Sequence, residues 1–216
     1  MKTHNQNKSN QSTPKNPFDQ GYYESAELRT FGFKNVGDNV MIAKNSSIIG
    51  LSNISLGSNI RIDGNVVIAA YSGSLALGNY IHIGGGCYLG CAGGITLSDF
   101  SGLSQGICVY SGTDDYSGKS LTNPTVPRKY SNVKIAPVFL GKHVIVGSGS
   151  VILPGVTIGD GSSVGALSLV TKSLDEWGVY FGTPAKRLKA RSKNVLRLAE
   201  ELMLEASSEP TQQPLK

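Results

Sequence analysis

The sequence predicts an all-β solenoid: a triangular parallel β-helix of about six coils, with a short helix at each end. Three observations predict it. Aliphatic residues recur at six-residue steps from Val36 to Val170. Glycine occupies 27 of 216 positions, against a usual share of roughly 7%, and shows no collagen-like period of three. Charged residues make up 16% and hydrophobic residues 39%, too apolar for a disordered chain and too weakly charged for a coiled coil.

The elements follow in chain order. Residues 1–16 are polar and are expected to be a disordered tail; MKTHNQNKSNQSTPKNP has no apolar core, so no secretory signal is expected. Residues 17–35 read as an N-terminal cap, with FDQGYYESAELRT as a short helix over the first coil. Residues 36–174 carry the repeat. Its first positions are Val36, Ile42, Ile48; Leu56, Ile62, Ile68; Leu77, Ile83, Leu89; Leu97, Leu103, Val109; Leu140, Val146, Ile152; and Ile158, Val164, Val170. A period of six suits neither a helix nor a lone strand, but it suits three short strands per coil with position one pointing inward. Position five points inward as well and takes Val40, Ile60, Val66, Ile81, Cys87, Ile107, Val144 and Val156, or a small Ser46, Ser101, Ser150, Ser162 or Ser168. Glycine, Asn and Asp fill the intervening corners. Residues 175–206 form a C-terminal extension in which Trp177 packs the tail on the last coil. A helix over 193–206 follows, with an apolar stripe at Val195, Leu198 and Leu202 for a second cap or a subunit contact. Residues 207–216 read as a second disordered tail.

Several function classes fall away. Three cysteines, an odd number, argue against a disulfide framework and suit a reducing cytoplasm. No Cys/His cluster has ligand spacing, so no metal is expected. No apolar run approaches the ~20 residues of a membrane span. The charge of +5 is scattered and favours an anionic small ligand over nucleic acid. Cys87 faces inward, whereas Cys91 and Cys108 occupy non-inward positions; an acyl-carrying thiol there would need a lowered pKa.

The repeat breaks once, over the 25 residues Asp115 to Phe139, and a structureless loop of that length in a compact repeat is usually functional or disordered. Asp114 stands at its root and Asp115 follows. A hydroxyl acceptor needs a base near neutrality, whereas an amine of pKa roughly 8 is nucleophilic once neutral and needs only a carboxylate to hold it. The plain alternative makes both acids solvated turn residues. His143 lies in the hexad after the loop, and the loop's two ends share an edge of the prism, so an Asp114–His143 pair is possible; the alternative is a corner residue standing in for a turn asparagine. His82 ends the hexad LGNYIH on another edge, within reach of a loop only across a subunit interface.

The stretch ILPGVTIGDGSSVGALSLVTKSL and the following GTPAKRL resemble the closing coils and tail of the hexapeptide-repeat acyltransferases, a resemblance that extends from Phe18 to Arg191. YSGTDDYSG and TNPTVP are similar to a subgroup of O-antigen sugar pathways that N-acetylates nucleotide-linked 4-amino-4,6-dideoxy sugars. The resemblance implies a left-handed coil, an exception to the usual crossover rule. It also implies a homotrimer with active sites between subunits and acetyl-CoA as donor. In such sugar O-acetyltransferases a histidine fills the place of Asp114. Gly147, Ser148, Gly165 and Ala166 are small enough for a pantetheine arm to approach the backbone, and Lys172, Lys186 and Arg187 offer charge to phosphates. By resemblance, Thr171 and Lys172 of VTK and Pro184 and Lys186 of GTPAK lie beside the nucleotide end. The expected activity is N-acetylation of a sugar such as dTDP-4-amino-4,6-dideoxyglucose for surface polysaccharide. Sugar O-acetylation with a His base and a non-catalytic β-helix scaffold are the alternatives.

Overall fold

The computed structural model describes residues 16–208, so the two tails expected at 1–16 and 207–216 lie almost wholly outside the described residues. The chain winds through three parallel sheets. The first face is built from Asn35–Val36, Ile54–Leu56, Leu75–Leu77, Ile95–Leu97, Val138–Leu140 and Thr157–Ile158. The second holds Val40–Ala43, Ile60–Ile62, Ile81–Ile83, Gly102–Leu103, Ile145–Val146, Ser163–Val164 and Gly178–Phe181. The third holds Ser47–Ile49, Val67–Ala69, Tyr88–Gly90, Cys108–Tyr110, Val151–Ile152 and Leu169–Val170. This makes six full turns, and Leu174, bridged to Ile158, together with Gly178–Phe181 begins a seventh. The count of about six therefore omitted a final partial turn, because DEWGVYFG lacks the aliphatic hexad signature.

Register makes the core. Ile42 lies beside Ile62, Ile62 beside Ile83, and Leu103 beside Val146, so like residues stack along the axis. Position-one and position-five aliphatics from the second coil onward are buried, each worth roughly 1.5–3 kcal/mol. The inward serines from Ser101 onward are buried too and act as staples between coils, whereas Ser46 on the first coil is only half-buried. Ser162 Oγ donates to Asp175 O at 2.7 Å and accepts the Gly178 N–H at 3.3 Å, and Ser168 Oγ donates to Gly165 O at 2.7 Å and accepts the Gly182 N–H at 3.1 Å.

The corner between the first and second faces shows why the strands stay short. Asn39, Asn59, Tyr80, Phe100, His143 and Trp177 each adopt a positive φ there, between 53° and 60°. Just before them, a side chain of one coil accepts a backbone N–H of the coil above. Ser58 Oγ takes the Asp38 N–H at 3.0 Å, Asn79 Oδ1 the Ser58 N–H at 2.9 Å, and Asp99 Oδ1 the Asn79 N–H at 2.7 Å. Corner donors that no strand can satisfy are thereby satisfied by the next coil.

The two ends are closed differently. At the N-terminus Tyr22–Glu24 adds antiparallel to Val40–Ala43, and the short helix Ser25–Leu28 buries Leu28 over the first coil. At the other end, Gly178–Phe181 pairs with Lys186–Ala190, and Trp177 fills the space beside Gly161. The C-terminal helix, Asn194–Ser208, forms as expected but does not cap the solenoid: Leu196, Leu198, Leu202 and Met203 are exposed on the single chain. The break in the repeat is also shorter than 115–139. Val138–Leu140 already belongs to the first face, and Lys134–Ile135 pairs with Gly112–Thr113 to tie the insertion at its root.

Gly57 illustrates the close approach of coils. Its φ is ordinary, but a Cβ there would collide with the Gly78 carbonyl. Gly57→Ala is expected to destabilise the fold by about 1–3 kcal/mol, read as a lowered midpoint in denaturant unfolding.

Candidate active site

Two concavities lie on adjacent faces. The larger, about 720 Å³, sits between the outer side of the third face and the insertion, with Tyr71, Tyr88, Tyr110, Asp114, Asn123 and Arg128 in its wall. Asp114 reaches it because it immediately follows Gly112–Thr113, the strand that fixes the insertion's root. Asp115 has a different task. Its Oδ1 accepts the Ser117 N–H at 2.8 Å, and its bonds with Ser117 hold the carboxyl below the usual carboxylate range. These bonds lie within the turn at the start of the insertion.

The smaller concavity, about 310 Å³, is a groove on the second face with Tyr80, His82, Phe100, Gly102, His143 and Arg191 along it. His143 continues a ladder of rings: Tyr80 stacks on Phe100 at 4.7 Å and Phe100 on His143 at 5.0 Å, both pairs within 6° of parallel. Burial, aided by the positive charge of Arg191, pulls its imidazole below the usual histidine range. Arg191 donates to the carbonyls of His143 at 2.7 Å and Gly161 at 3.0 Å and so ties two coils at this corner. The structure does not bring Asp114 and His143 together. The insertion leaves and rejoins the prism between the third and first faces, whereas His143 lies one strand further on, between the first and second.

His82 does find a carboxylate, but it is Asp63. The Nε2–Oδ2 distance is 2.8 Å, and Asp63 Oδ1 also accepts from Arg61 Nε at 2.7 Å and from the Tyr22 hydroxyl at 3.2 Å. Burial works to raise the Asp63 carboxyl, but the bonds from His82 and Arg61 outweigh it and hold it below its ordinary value. Asp63 was not among the residues singled out from the sequence. Its signal was there, since it directly follows Ile62, where four other coils put Gly84, Ser104, Gly147 and Gly165.

The residues expected to hold the coenzyme cluster at the C-terminal end. Gly147 and Ser148 lie directly above Gly165 and Ala166 on the corner between the second and third faces, and a Cβ on Gly147 would strike the Ala166 backbone. The GTPAK segment docks beside them: Gly182 N–H reaches Ser168 Oγ, and Ala185 N–H reaches Leu169 O at 2.8 Å. Pro184 is cis and exposed there. Thr171 and Lys172 are exposed at the other end of Leu169–Val170, and Lys186 and Arg187 are exposed on Lys186–Ala190. The set therefore forms two neighbouring patches on either side of one strand.

Cys91 departs from expectation. It is fully buried at a corner, and burial pushes its thiol up to about 12, opposite to what an acyl-carrying thiol needs. Cys87 is buried as expected, and burial raises its thiol as well. Among the described residues no group of three or more His, Cys, Asp or Glu side chains is arranged to hold a metal ion, and no helix is long and apolar enough to cross a membrane.

Two family models match the repeat, the bacterial transferase hexapeptide (six repeats) over residues 137–172 and the hexapeptide repeat of succinyl-transferase over residues 35–70. The dTDP-4-amino-4,6-dideoxy-D-glucose acyltransferase of Escherichia coli is 41% identical over 177 residues, which is 82% of this chain and 92% of that protein. The chain is a hexapeptide-repeat acyltransferase. This sets the scaffold alternative aside. Solved structures of the N-acyltransferase AntD from Bacillus cereus superpose on the acyltransferase closely. One, in complex with dTDP and 3-hydroxybutyryl-CoA, has a TM-score of 0.83 and 41% identity, covering 87% of this chain and 99% of AntD. Another, a mutant in complex with dTDP-4-amino-4,6-dideoxyglucose and coenzyme A, has a TM-score of 0.83 and 40% identity, covering 86% and 98%. Both AntD structures hold coenzyme A or a thioester of it.

The depressed His143 imidazole has a consequence for stability. Below about pH 6.5 the unfolded chain takes up a proton that the folded chain refuses, so stability contributed at neutral pH is lost as the pH falls. His143→Phe extends the ring ladder and removes this proton. Between about pH 8 and pH 5 the variant is expected to lose less melting temperature than the parent, measured by thermal unfolding at both pH values.

Proposed function

We propose that this acyltransferase moves the acyl group of a coenzyme A thioester, acetyl in the first instance, to the amine of dTDP-4-amino-4,6-dideoxyglucose or a close analogue. The observation that carries the reading is the 41% identity running through 92% of the Escherichia coli acyltransferase of that substrate. The chemistry of the third-face cavity supports it. Its root residue is Asp114, a carboxylate, which suits an acceptor that arrives as an ammonium and must be held while it loses charge. Tyr71, Tyr88 and Tyr110 give the same cavity broad aromatic walls with polar edges, suited to a deoxysugar.

The donor would lie along the corner of Gly147, Ser148, Gly165 and Ala166, where the backbone is accessible to the amides of a pantetheine arm. Thr171, Lys172, Pro184, Lys186 and Arg187 would border its nucleotide end, with the three cations facing phosphate. The amine attacks the thioester carbonyl directly, the C–N bond forms, the C–S bond breaks, and the thiol leaves. No acyl-enzyme is needed. Backbone N–H groups at the glycine corners would steady the developing oxyanion.

A homotrimer with sites between subunits fits this reading. Both concavities are open on the single chain, and among the described residues nothing covers Leu196, Leu198, Leu202 and Met203 of the C-terminal helix. The chemistry of donor and acceptor and the three free thiols support a cytoplasmic enzyme that prepares an acylamino sugar for surface polysaccharide such as O-antigen.

Thiol release from acetyl-CoA should be at least about tenfold faster with dTDP-4-amino-4,6-dideoxyglucose than with its 4-hydroxy analogue. The reverse preference would favour sugar O-acetylation. Asp114→Asn is expected to lower turnover by about 10²-fold while leaving acetyl-CoA affinity within about threefold, by steady-state kinetics and calorimetry.

A further inference from the structure

We propose that His82, held by Asp63, is the group that takes the proton from the attacking amine and delivers it to the departing sulfur, in a groove whose floor is Gly102. The inference rests on the N-acyl transfer reading and adds to it the path of the proton.

His82 projects outward from Ile81–Ile83 with its side chain 50% exposed, while Asp63 is only 20% exposed. An ionised carboxylate only accepts, so Nε2 carries the hydrogen and Nδ1 is left with its lone pair. Asp63 is itself held in place by Arg61 and the Tyr22 hydroxyl, so the pair is preorganised rather than a passing surface contact. The same groove holds three further titratable groups, Tyr80, His143 and Arg191, and the Arg191 guanidinium is turned onto the carbonyls of His143, Gly161 and Ser162.

Gly102 is the independent observation. Along the second face the outward positions in register are Met41, Arg61, His82, Gly102, Ile145, Ser163 and Val179. Only at Gly102, directly beside His82, is the side chain missing. Its φ is not in the left-handed region, and a Cβ would meet nothing closer than the His82 carbonyl oxygen at 3.6 Å, an ordinary contact. Neither conformation nor internal packing demands glycine, and glycine weakens a strand. What it does is keep the backbone bare for something approaching from outside.

The donor corner leads to this point. From Gly165 and Ala166 it rises past Gly147 and Ser148 and past Ser104 towards Asp63, and three coil spacings, about 14 Å, separate the sixth coil from the third. An extended pantetheine arm covers that span and brings its thioester beside His82. There the neutral amine forms the C–N bond, the nitrogen gives its proton to Nδ1, the C–S bond breaks, and the imidazolium returns the proton to the thiolate. Amine and thioester become amide and thiol with no other reactant. Asp114 lines the third-face cavity and His82 the second-face groove, so Asp114 anchors the acceptor and the proton exchange falls to His82.

The experiment uses the full-length enzyme with acetyl-CoA and dTDP-4-amino-4,6-dideoxyglucose. His82→Ala is expected to lower kcat by about 10²-fold, and added imidazole to restore part of it. Asp63→Asn keeps acceptors for Arg61 and Tyr22 but removes the charge that sustains the imidazolium. The acid limb of its kcat–pH profile should therefore move down by about one pH unit. Gly102→Val should melt no lower than the parent yet lose about tenfold in kcat/KM. Loss with rescue and a shifted limb supports the inference, because a structural role would move neither. His82→Ala within about threefold of the parent, or an acid limb unmoved in Asp63→Asn, overturns it while the parent's activity leaves the functional reading standing. Absence of transfer in the parent overturns the functional reading and this inference together.

Discussion

Everything in this fold depends on coils lying one strand spacing apart, about 4.8 Å. At that distance each backbone polar group of a strand is satisfied by the coils above and below. The corners must then turn with almost no side chain between neighbouring backbones. Gly37, Gly57 and Gly147 sit where a Cβ would strike the next coil, and Asn39, Asn59 and Phe100 take the left-handed corner that follows Gly37, Gly57 and Ser98. The glycine excess, the short strands and the stacked aliphatics are three expressions of that one spacing.

The same constraint decided what the sequence could reveal. Position-one aliphatics carry the repeat because nothing else fits the narrow interior, so Leu56, Leu77, Leu97 and Leu140 announced the fold without any structure. Corners announce less. His143 read equally well as a base or as a substitute for a turn asparagine, and the sequence does not display that its ring stacks on Phe100 one coil away. Cys91 looked outward by hexad count, but the turn between the third and first faces is irregular and folds it inside. The seventh turn was hidden because Tyr180 and Leu174 replace the regular hexad. Asp63 was legible only as an oddity, a charge where small residues prevail, since the sequence does not display that its neighbour one coil on is His82.

A thin prism has no interior to spare for a substrate, so its chemistry must sit on outer faces and edges. The two concavities occupy the second and third faces, and the small-residue corner between them is the route proposed for the donor. The acceptor anchoring proposed for Asp114 and the proton handling proposed for His82 thereby fall on different faces of a single chain. A homotrimer, as proposed, would bring such separated surfaces together, and its symmetry would then have a chemical purpose beyond stability.

The insertion joins the frame through a small antiparallel ribbon, Gly112–Thr113 with Lys134–Ile135, and both of its ends feed strands that keep perfect neighbours: Cys108 pairs with Tyr88 on one side and with Val151 on the other. Nothing in the stacking senses how long the excursion is or what it contains. The roughly twenty residues of this lobe can therefore change in length and sequence while the stack stays as it is, which leaves the wall of the third-face cavity open to variation that the spiral does not feel.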